Sequence, residues 1–288
     1  MSVQETRRSS VLCGLIGTGL QKSRTPRMHE QEGQEQGLRY VYKTIDLEQL
    51  GVGVEALPDL LLAAERMGYC GLNITHPCKQ LVIPLLSDLS EDARALNAVN
   101  TVVLKNGQRI GHNTDCSGFA EGFRRGLPDV QRNRAVQLGA GGAGAAVAHA
   151  ALLLGVGTLS VHDIDPAKAQ SVVDGLNARF GAGRAAVCAD LQAAMAQADG
   201  LIHATPIGMA SHPGLPLPAD YLQPQHWVAE VVYFPLETEL LKVAKAKGCR
   251  TLNGGGMAVY QAVGAFQLFT GIEPDAARMT RHFASMGG

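Results

Sequence analysis

The run Gly139-Ala140-Gly141-Gly142-Ala143-Gly144 constrains this chain more than any other feature, because it lies between an apolar strand-like run, AVQL, and an alanine-rich helical stretch. In that setting Gly-x-Gly-x-x-Gly is a phosphate-binding turn. Gly139 permits a tight turn, Gly141 lets backbone approach a pyrophosphate, and Gly144 lets the helix pack close to the sheet. The helix N-terminus adds N–H donors and the positive end of its dipole. The following strand-like run, TLSVHD, ends at Asp163, nineteen residues beyond Gly144, where an acidic side chain accepts bonds from the ribose hydroxyls of a dinucleotide. A carboxylate there repels a 2′-phosphate, and no arginine follows in His162-Asp163-Ile164-Asp165-Pro166, so the pattern predicts NAD as the cofactor. Asp165, directly before Pro166, reads as the cap of the next helix.

Short β-like runs alternate with helical runs along the whole chain: VLCGLIG, a helix after Pro26, YVYKTID, a helix near Leu57 to Met67, and CGLNIT. A second series begins at Arg134 and runs through TLSVHDID, AAVCAD, GLIHATP and WVAEVVY. Such alternation predicts parallel strands joined by helical crossovers, and hence an α/β fold. Two α/β domains are expected: residues 1–114 as a substrate-binding and catalytic domain, and residues 115–256 as a Rossmann-type dinucleotide-binding domain. The junction falls in the polar turn and amphipathic helix of Gly111 to Pro128. An apolar helical stretch, Met257 to Phe269, follows the glycines at 254–256, and residues 257–288 are expected to pack back on the first domain.

Composition narrows the possible partners. The formal net charge is −1 and no run of Lys or Arg exceeds a pair, so the clustered positive field needed by a nucleic acid is missing. The longest apolar stretch, Ala143 to Val156, is shorter than the roughly 20 residues of a bilayer span and carries His149, which predicts a buried helix and no membrane partner. Six cysteines form no C-x-x-C pair, and the nine histidines include no H-E-x-x-H, so neither a disulfide framework nor a metal site is expected. The polar N-terminal residues lack the long apolar run of a signal peptide, and the cytoplasm is the expected location. Monomer and homodimer are both open.

A dehydrogenase that works without a metal needs a group to exchange the hydroxyl proton while hydride leaves carbon. Candidates cluster where apolar strands end: Gly71-Leu72-Asn73-Ile74-Thr75-His76-Pro77-Cys78-Lys79, Ala98-Val99-Asn100-Thr101 and Asn113-Thr114-Asp115. These clusters, with Ser23-Arg24-Thr25-Pro26, Ala204-Thr205-Pro206-Ile207-Gly208-Met209, Val232-Tyr233, Pro235-Leu236-Glu237-Thr238, and Gly256-Met257 with Gln261, occur in an order that resembles the shikimate dehydrogenase family over nearly the whole chain.

That resemblance implies reversible oxidation of the shikimate ring hydroxyl to 3-dehydroshikimate, with Lys79 and Asp115 as the catalytic pair. It implies that Ser23, Thr25, Asn73, Thr75, Asn100, Tyr233 and Gln261 bind the substrate's carboxylate and hydroxyls. It further implies that Thr205, Pro206, Gly256 and Met257 join the Gly139–Gly144 turn and Asp163 in holding the dinucleotide. Taken singly, Thr25 before Pro26 reads as a helix N-cap, Asp115 as a cap, Lys79 as a surface lysine and Gln261 as a solvated helix residue. Their joint occurrence in family order is what gives them roles.

The departures from the family pattern also carry information. Members using NADP commonly have Asn-Arg-Thr where this chain has His162-Asp163-Ile164, so the resemblance is to the NAD-using branch that includes quinate/shikimate dehydrogenases. Thr25 replaces a commoner serine, and His203 and Phe234 stand where asparagine is common. A dehydrogenase of aminoshikimate or another ring hydroxy acid is an alternative. A non-catalytic dinucleotide-binding module is another, which the intact Lys79 and Asp115 argue against.

Overall fold

The computed structural model describes residues 10–286, and the chain divides into two compact units. One runs to Thr114 and includes Ala262–Met286; the other is Asp115–Gln261.

The first unit is built on a six-stranded sheet. Its strands are β1 (Ser10–Gly17), β2 (Arg39–Asp46), β3 (Gly71–Ile74), β4 (Asp88–Leu89), β5 (Thr101–Lys105) and β6 (Gln108–His112), in the order β2-β1-β3-β5-β6-β4. The expected parallel pairing holds for β1 with β2 and with β3, but β5 runs antiparallel to both β3 and β6, so the sheet is mixed. The cause is local. Asn106 and Gly107 take φ of 54° and 71°, a two-residue turn whose left-handed backbone matches strand twist, and β5 and β6 close into a hairpin.

Alternate residues of β1 feed opposite cores, as a two-residue period requires. Ile16 joins Leu57, Leu61, Leu72, Ile74 and Val102 on one face. Val11, Cys13 and Leu15 join Tyr40, Tyr42, Phe266 and Phe269 on the other.

The helix Ala276–Ser285 was not expected from the sequence, and a partly buried ion pair secures it. Arg278 donates from Nε (2.8 Å) and Nη2 (2.6 Å) to Glu32, which is 1% exposed on helix Thr25–Glu35. The same carboxylate accepts the Asp275 N–H and the Gln36 amide.

The second unit is a six-stranded sheet of β7 (Arg134–Leu138), β8 (Thr158–His162), β9 (Ala185–Val187), β10 (Gly200–His203), β11 (Trp227–Glu230) and β12 (Arg250–Leu252). All neighbours are parallel, in the order β12-β11-β10-β7-β8-β9. The chain winds outward from β7 through β8 and β9, then returns to β10 on the other side. The switch point of this Rossmann-type sheet therefore lies between the C-terminal ends of β7 and β10, where open α/β sheets bind ligands.

The C-terminal return differs from expectation by five residues. Helix Gly255–Thr270 is one element, yet the division falls after Gln261, not at Met257. Its first turns lie against helix Thr114–Gly126: a Cβ on Gly118 would sit 2.6 Å from the Gln261 nitrogen, and one on Gly122 would sit 3.3 Å from Gly256. Two glycines one turn apart remove the side chains that would hold the backbones apart, and Gly255–Gln261 stays with the second unit.

Among the described residues no helix is long and apolar enough to cross a membrane, and no group of three or more His, Cys, Asp or Glu is placed to hold a metal ion.

Candidate active site

In the first unit, the C-terminal ends of β1, β3 and β6 and the start of antiparallel β5 fall at one edge of the sheet, and the polar clusters meet there. Asn73, at 4% exposure, is the fixed centre. Its Oδ1 accepts the Tyr42 hydroxyl at 2.7 Å, and its Nδ2 donates to the Asn100 carbonyl (3.2 Å) and to Thr101 Oγ1 (2.9 Å). Asn100 Nδ2 donates to Thr114 Oγ1 at 3.0 Å, while Asn100 Oδ1 accepts the Thr114 N–H at 2.7 Å and the Thr101 hydroxyl at 3.0 Å. Burial is tolerable for such amides only because nearly all their bonds are made inside the network. Burial also pushes the Tyr42 phenol well above its ordinary range, so it remains a donor to Asn73.

Lys79 follows β3 on the short helix Cys78–Leu81, half-buried, and its carbonyl accepts the Val99 N–H at 2.9 Å. That bond ties the lysine's backbone to the residue before Asn100. Thr75 is likewise anchored, its N–H to the Ile16 carbonyl and its carbonyl to the Cys78 N–H. Ser23 and Thr25 are half-buried after β1; Ser23 Oγ accepts the Thr25 N–H at a long 3.4 Å. Thr25 is itself the first residue of its helix, and no side chain caps that helix, so the capping role is not what places it. Thr101 and Thr114 belong to this network as fully as Asn73 does; their sequence signal was their position inside the two Asn-Thr pairs.

Asp115, Tyr233 and Gln261 belong to the second unit. Asp115 is buried in the first turn of helix Thr114–Gly126, where a carboxylate suits the helix dipole. Tyr233 is 38% exposed just after β11. Gln261 turns its amide back to the Ala258 carbonyl at 3.0 Å.

The glycine turn has the shape the sequence required. Gly139 has φ of 99°, and a Cβ there would lie 2.6 Å from the Ala204 carbonyl oxygen; one on Gly144 would lie 2.3 Å from the Gly139 oxygen. Over Gly141 there is open space, with no atom within 4 Å of an added Cβ, and no side chain caps helix Gly142–Leu153. An uncapped helix N-terminus under an open glycine backbone is what a pyrophosphate requires, so the residues present fit a dinucleotide.

Asp163 also serves the turn. Its Oδ2 accepts the Ala140 N–H at 2.7 Å and its Oδ1 the Asp165 N–H at 2.9 Å, while Asp165 caps helix Pro166–Phe180 through the Ala167 N–H. An ionised carboxylate has about four acceptor sites, so ribose hydroxyls can still be accepted.

Sequence reasoning passed over one residue here. Gln137, fully buried, donates from Nε2 to the carbonyls of Gly139 and Gly144, each at 2.8 Å, and so staples the turn from beneath. A polar residue inside the apolar run AVQL was the available signal. From β10, Ala204-Thr205-Pro206 arrives at the same switch point, with Thr205 half-buried and Pro206 exposed. Gly256 and Met257 open the helix Gly255–Thr270, both half-buried.

Residues 15–102 match the family model described as the shikimate dehydrogenase substrate binding domain, and residues 254–282 match that of the shikimate 5'-dehydrogenase C-terminal domain. The chain is 58% identical to a shikimate dehydrogenase (NADP(+)) of Streptomyces avermitilis, over 98% of this chain and 97% of the relative. It is 51% identical to a quinate/shikimate dehydrogenase (NAD(+)) of Corynebacterium efficiens, over 96% and 99%. Among solved structures, quinate dehydrogenase from Corynebacterium glutamicum in complex with NAD superposes with a TM-score of 0.92 at 49% identity, covering 96% of this chain and 100% of that one. A Rossmann-type sheet with an open glycine turn, a separate α/β unit and relatives that are shikimate and quinate/shikimate dehydrogenases together define a nicotinamide-dinucleotide oxidoreductase acting on a CH–OH group. Within that class, the chain belongs to the shikimate dehydrogenase family.

Proposed function

We propose that the protein catalyses reversible oxidation of the ring hydroxyl of shikimate, and of quinate, using NAD. Carrying this reading is the hydrogen-bonded edge of Asn73, Asn100, Thr101 and Thr114 with Lys79 tied beside it, a rigid polar rim of the kind a small polyhydroxy acid needs. Ser23, Thr25, Thr75, Tyr233 and Gln261 complete the set that would hold the carboxylate and ring hydroxyls.

The dinucleotide, when bound, accepts or returns the hydride. Lys79 exchanges the hydroxyl proton at Nζ, and Asp115 orients the lysine and balances its charge. The residues that would hold the dinucleotide are Gly139 through Gly144, Thr205, Pro206, Gly256 and Met257, with Asp163 at the ribose. Preference for NAD over NADP rests on Asp163: its carboxylate is locked against the turn by Ala140 and places a negative charge where a 2′-phosphate would add another.

Purified protein with shikimate or quinate, each with NAD and NADP, tests the reading through the absorbance of the reduced cofactor. Turnover with NAD well above that with NADP is expected. Failure to turn over either acid, or equal use of both cofactors, would overturn the substrate or the cofactor assignment respectively.

A further inference from the structure

At the C-terminal ends of β10 and β11, His203 and Glu230 face each other in register, and neither side chain reaches solvent. A buried histidine and carboxylate are tolerated only when their remaining bonds are made, and here they are. Glu230 Oε1 accepts the Val232 N–H at 2.9 Å, Oε2 accepts the Thr238 hydroxyl at 3.0 Å, and the two oxygens lie 2.8 and 3.0 Å from His203 Nδ1. A carboxylate only accepts, so Nδ1 carries the hydrogen. Nε2 is left for Thr205 Oγ1, 2.6 Å away, which also accepts the Ile207 N–H at 3.2 Å.

Two loops are joined through this pair. One is the turn beginning at Thr205; the other runs from Val232 through Tyr233 to Thr238, which caps helix Glu239–Ala246. They also approach directly, since a Cβ on Gly208 would lie 3.4 Å from Thr238 Cβ. Between them, Gly208, Met209, Pro213, Phe234, Pro235 and Lys242 line a cavity of about 290 Å³.

We infer that His203 and Glu230 are a positioning pair that locks the Thr205 turn to the Val232–Thr238 segment and thereby sets dinucleotide affinity. The inference rests on the proposed function in taking Thr205 and Pro206 as dinucleotide contacts. Neither member of the pair touches the ligand; both act through the Thr205 hydroxyl.

Amide hydrogen exchange and equilibrium NAD binding on the full chain test it, using Glu230→Gln, Thr205→Val, Thr205→Ser and the double variant Glu230→Gln/Thr205→Val, with melting temperature as the folding control. Glu230→Gln should speed exchange of the Ile207 amide about tenfold, and Thr205→Val that of Val232, with β8 amides unchanged. Each should weaken NAD binding roughly 5–20-fold, the size of one lost hydrogen bond. The double variant should bind no worse than the weaker single, because both break one connection. Thr205→Ser, which keeps the hydroxyl, should keep the wild-type exchange rates at Ile207 and Val232. Should Glu230→Gln not fold, Thr205→Val read at Val232 decides.

Exchange that does not respond across the pair, affinity losses that multiply, or coupled exchange with unchanged NAD affinity would each overturn the inference. An unmodified protein that binds neither NAD nor NADP would instead sink the proposed function, and the Ile207 and Val232 exchange rates would then decide the inference by themselves.

Discussion

His29 is fully buried among Tyr40, Tyr42, Phe266 and Phe269, with ring centres 4.9 Å from Tyr42 and 5.9 Å from Phe266. Its Nδ1 pairs with the Tyr40 hydroxyl at 3.0 Å, and burial pushes its pKa down from 6.5 to about 3. In the unfolded chain the same imidazole takes up a proton near pH 6.5. Below that pH the unfolded state binds more protons, so the group's contribution is fully present above 6.5 and is lost as pH falls toward 3. The linkage integral gives a loss of about 2 kcal/mol between pH 7 and pH 5 and about 3 kcal/mol by pH 4, a large part of the roughly 5–15 kcal/mol that holds a domain folded. Urea unfolding followed by circular dichroism at pH 7, 6, 5 and 4 measures it. His29→Met cannot titrate, so it should be less stable than wild type at pH 7 by about 1 kcal/mol through the lost Tyr40 bond, yet flatten the pH slope by these amounts and be the more stable protein at pH 4. His112, His226 and His282 are also held below the ordinary histidine range by burial, and their share remains in both proteins. Parallel slopes for wild type and variant would refute the reasoning. The consequence reaches the site, because Tyr42, which packs on His29, is the donor to Asn73.

Asp163→Ser removes the acceptor of the Ala140 and Asp165 N–H groups together with a charge, and should narrow the NAD-to-NADP ratio of kcat/KM roughly tenfold or more; an unchanged ratio in steady-state assays would discard the residue as the discriminator. Arg278→Met leaves the Glu32 carboxylate buried without its cation, and should cost about 2–3 kcal/mol, below the roughly 3–5 of a fully buried pair because the arginine side chain is 29% exposed. Calorimetry reads that loss, and exchange in helix Ala276–Ser285 should rise first; a change under about 0.5 kcal/mol would mean that the pair does not hold the helix.

The parallel α/β build was legible because apolar period and spacing write it into the chain, and the glycine turn because only glycine tolerates the backbone at Gly139 and the close approach at Gly144. Strand direction was less so: Asn106-Gly107 marks a hairpin, but nothing local to β3 reveals that its neighbour β5 runs the other way. Asn73, Asn100 and Lys79 could be named from family order, whereas the bonds between them join strands far apart in the chain and exist only once the register is fixed. For the same reason His203 read as a mere departure from the family pattern. Its partner Glu230 is 27 residues away, and only the pairing of β10 with β11 brings them together. The helix Gly255–Thr270 had a clear apolar signal, but its allocation between units depended on Gly118 and Gly122, glycines of a different helix.

Lys79 is where the proposed chemistry is most exposed to test. Lys79→Met keeps the apolar stem and removes the amine; kcat for shikimate or quinate oxidation should fall about 10²–10⁴-fold, the usual loss for a general acid or base, while NAD affinity measured by equilibrium binding stays within about twofold. Asp115→Asn should lose a comparable factor, with the double variant little worse than either single if the two act as one unit. A Lys79→Met enzyme with near-wild-type kcat, or one whose rate falls only in step with NAD affinity and melting temperature, would remove Lys79 from the chemistry and leave it a structural residue.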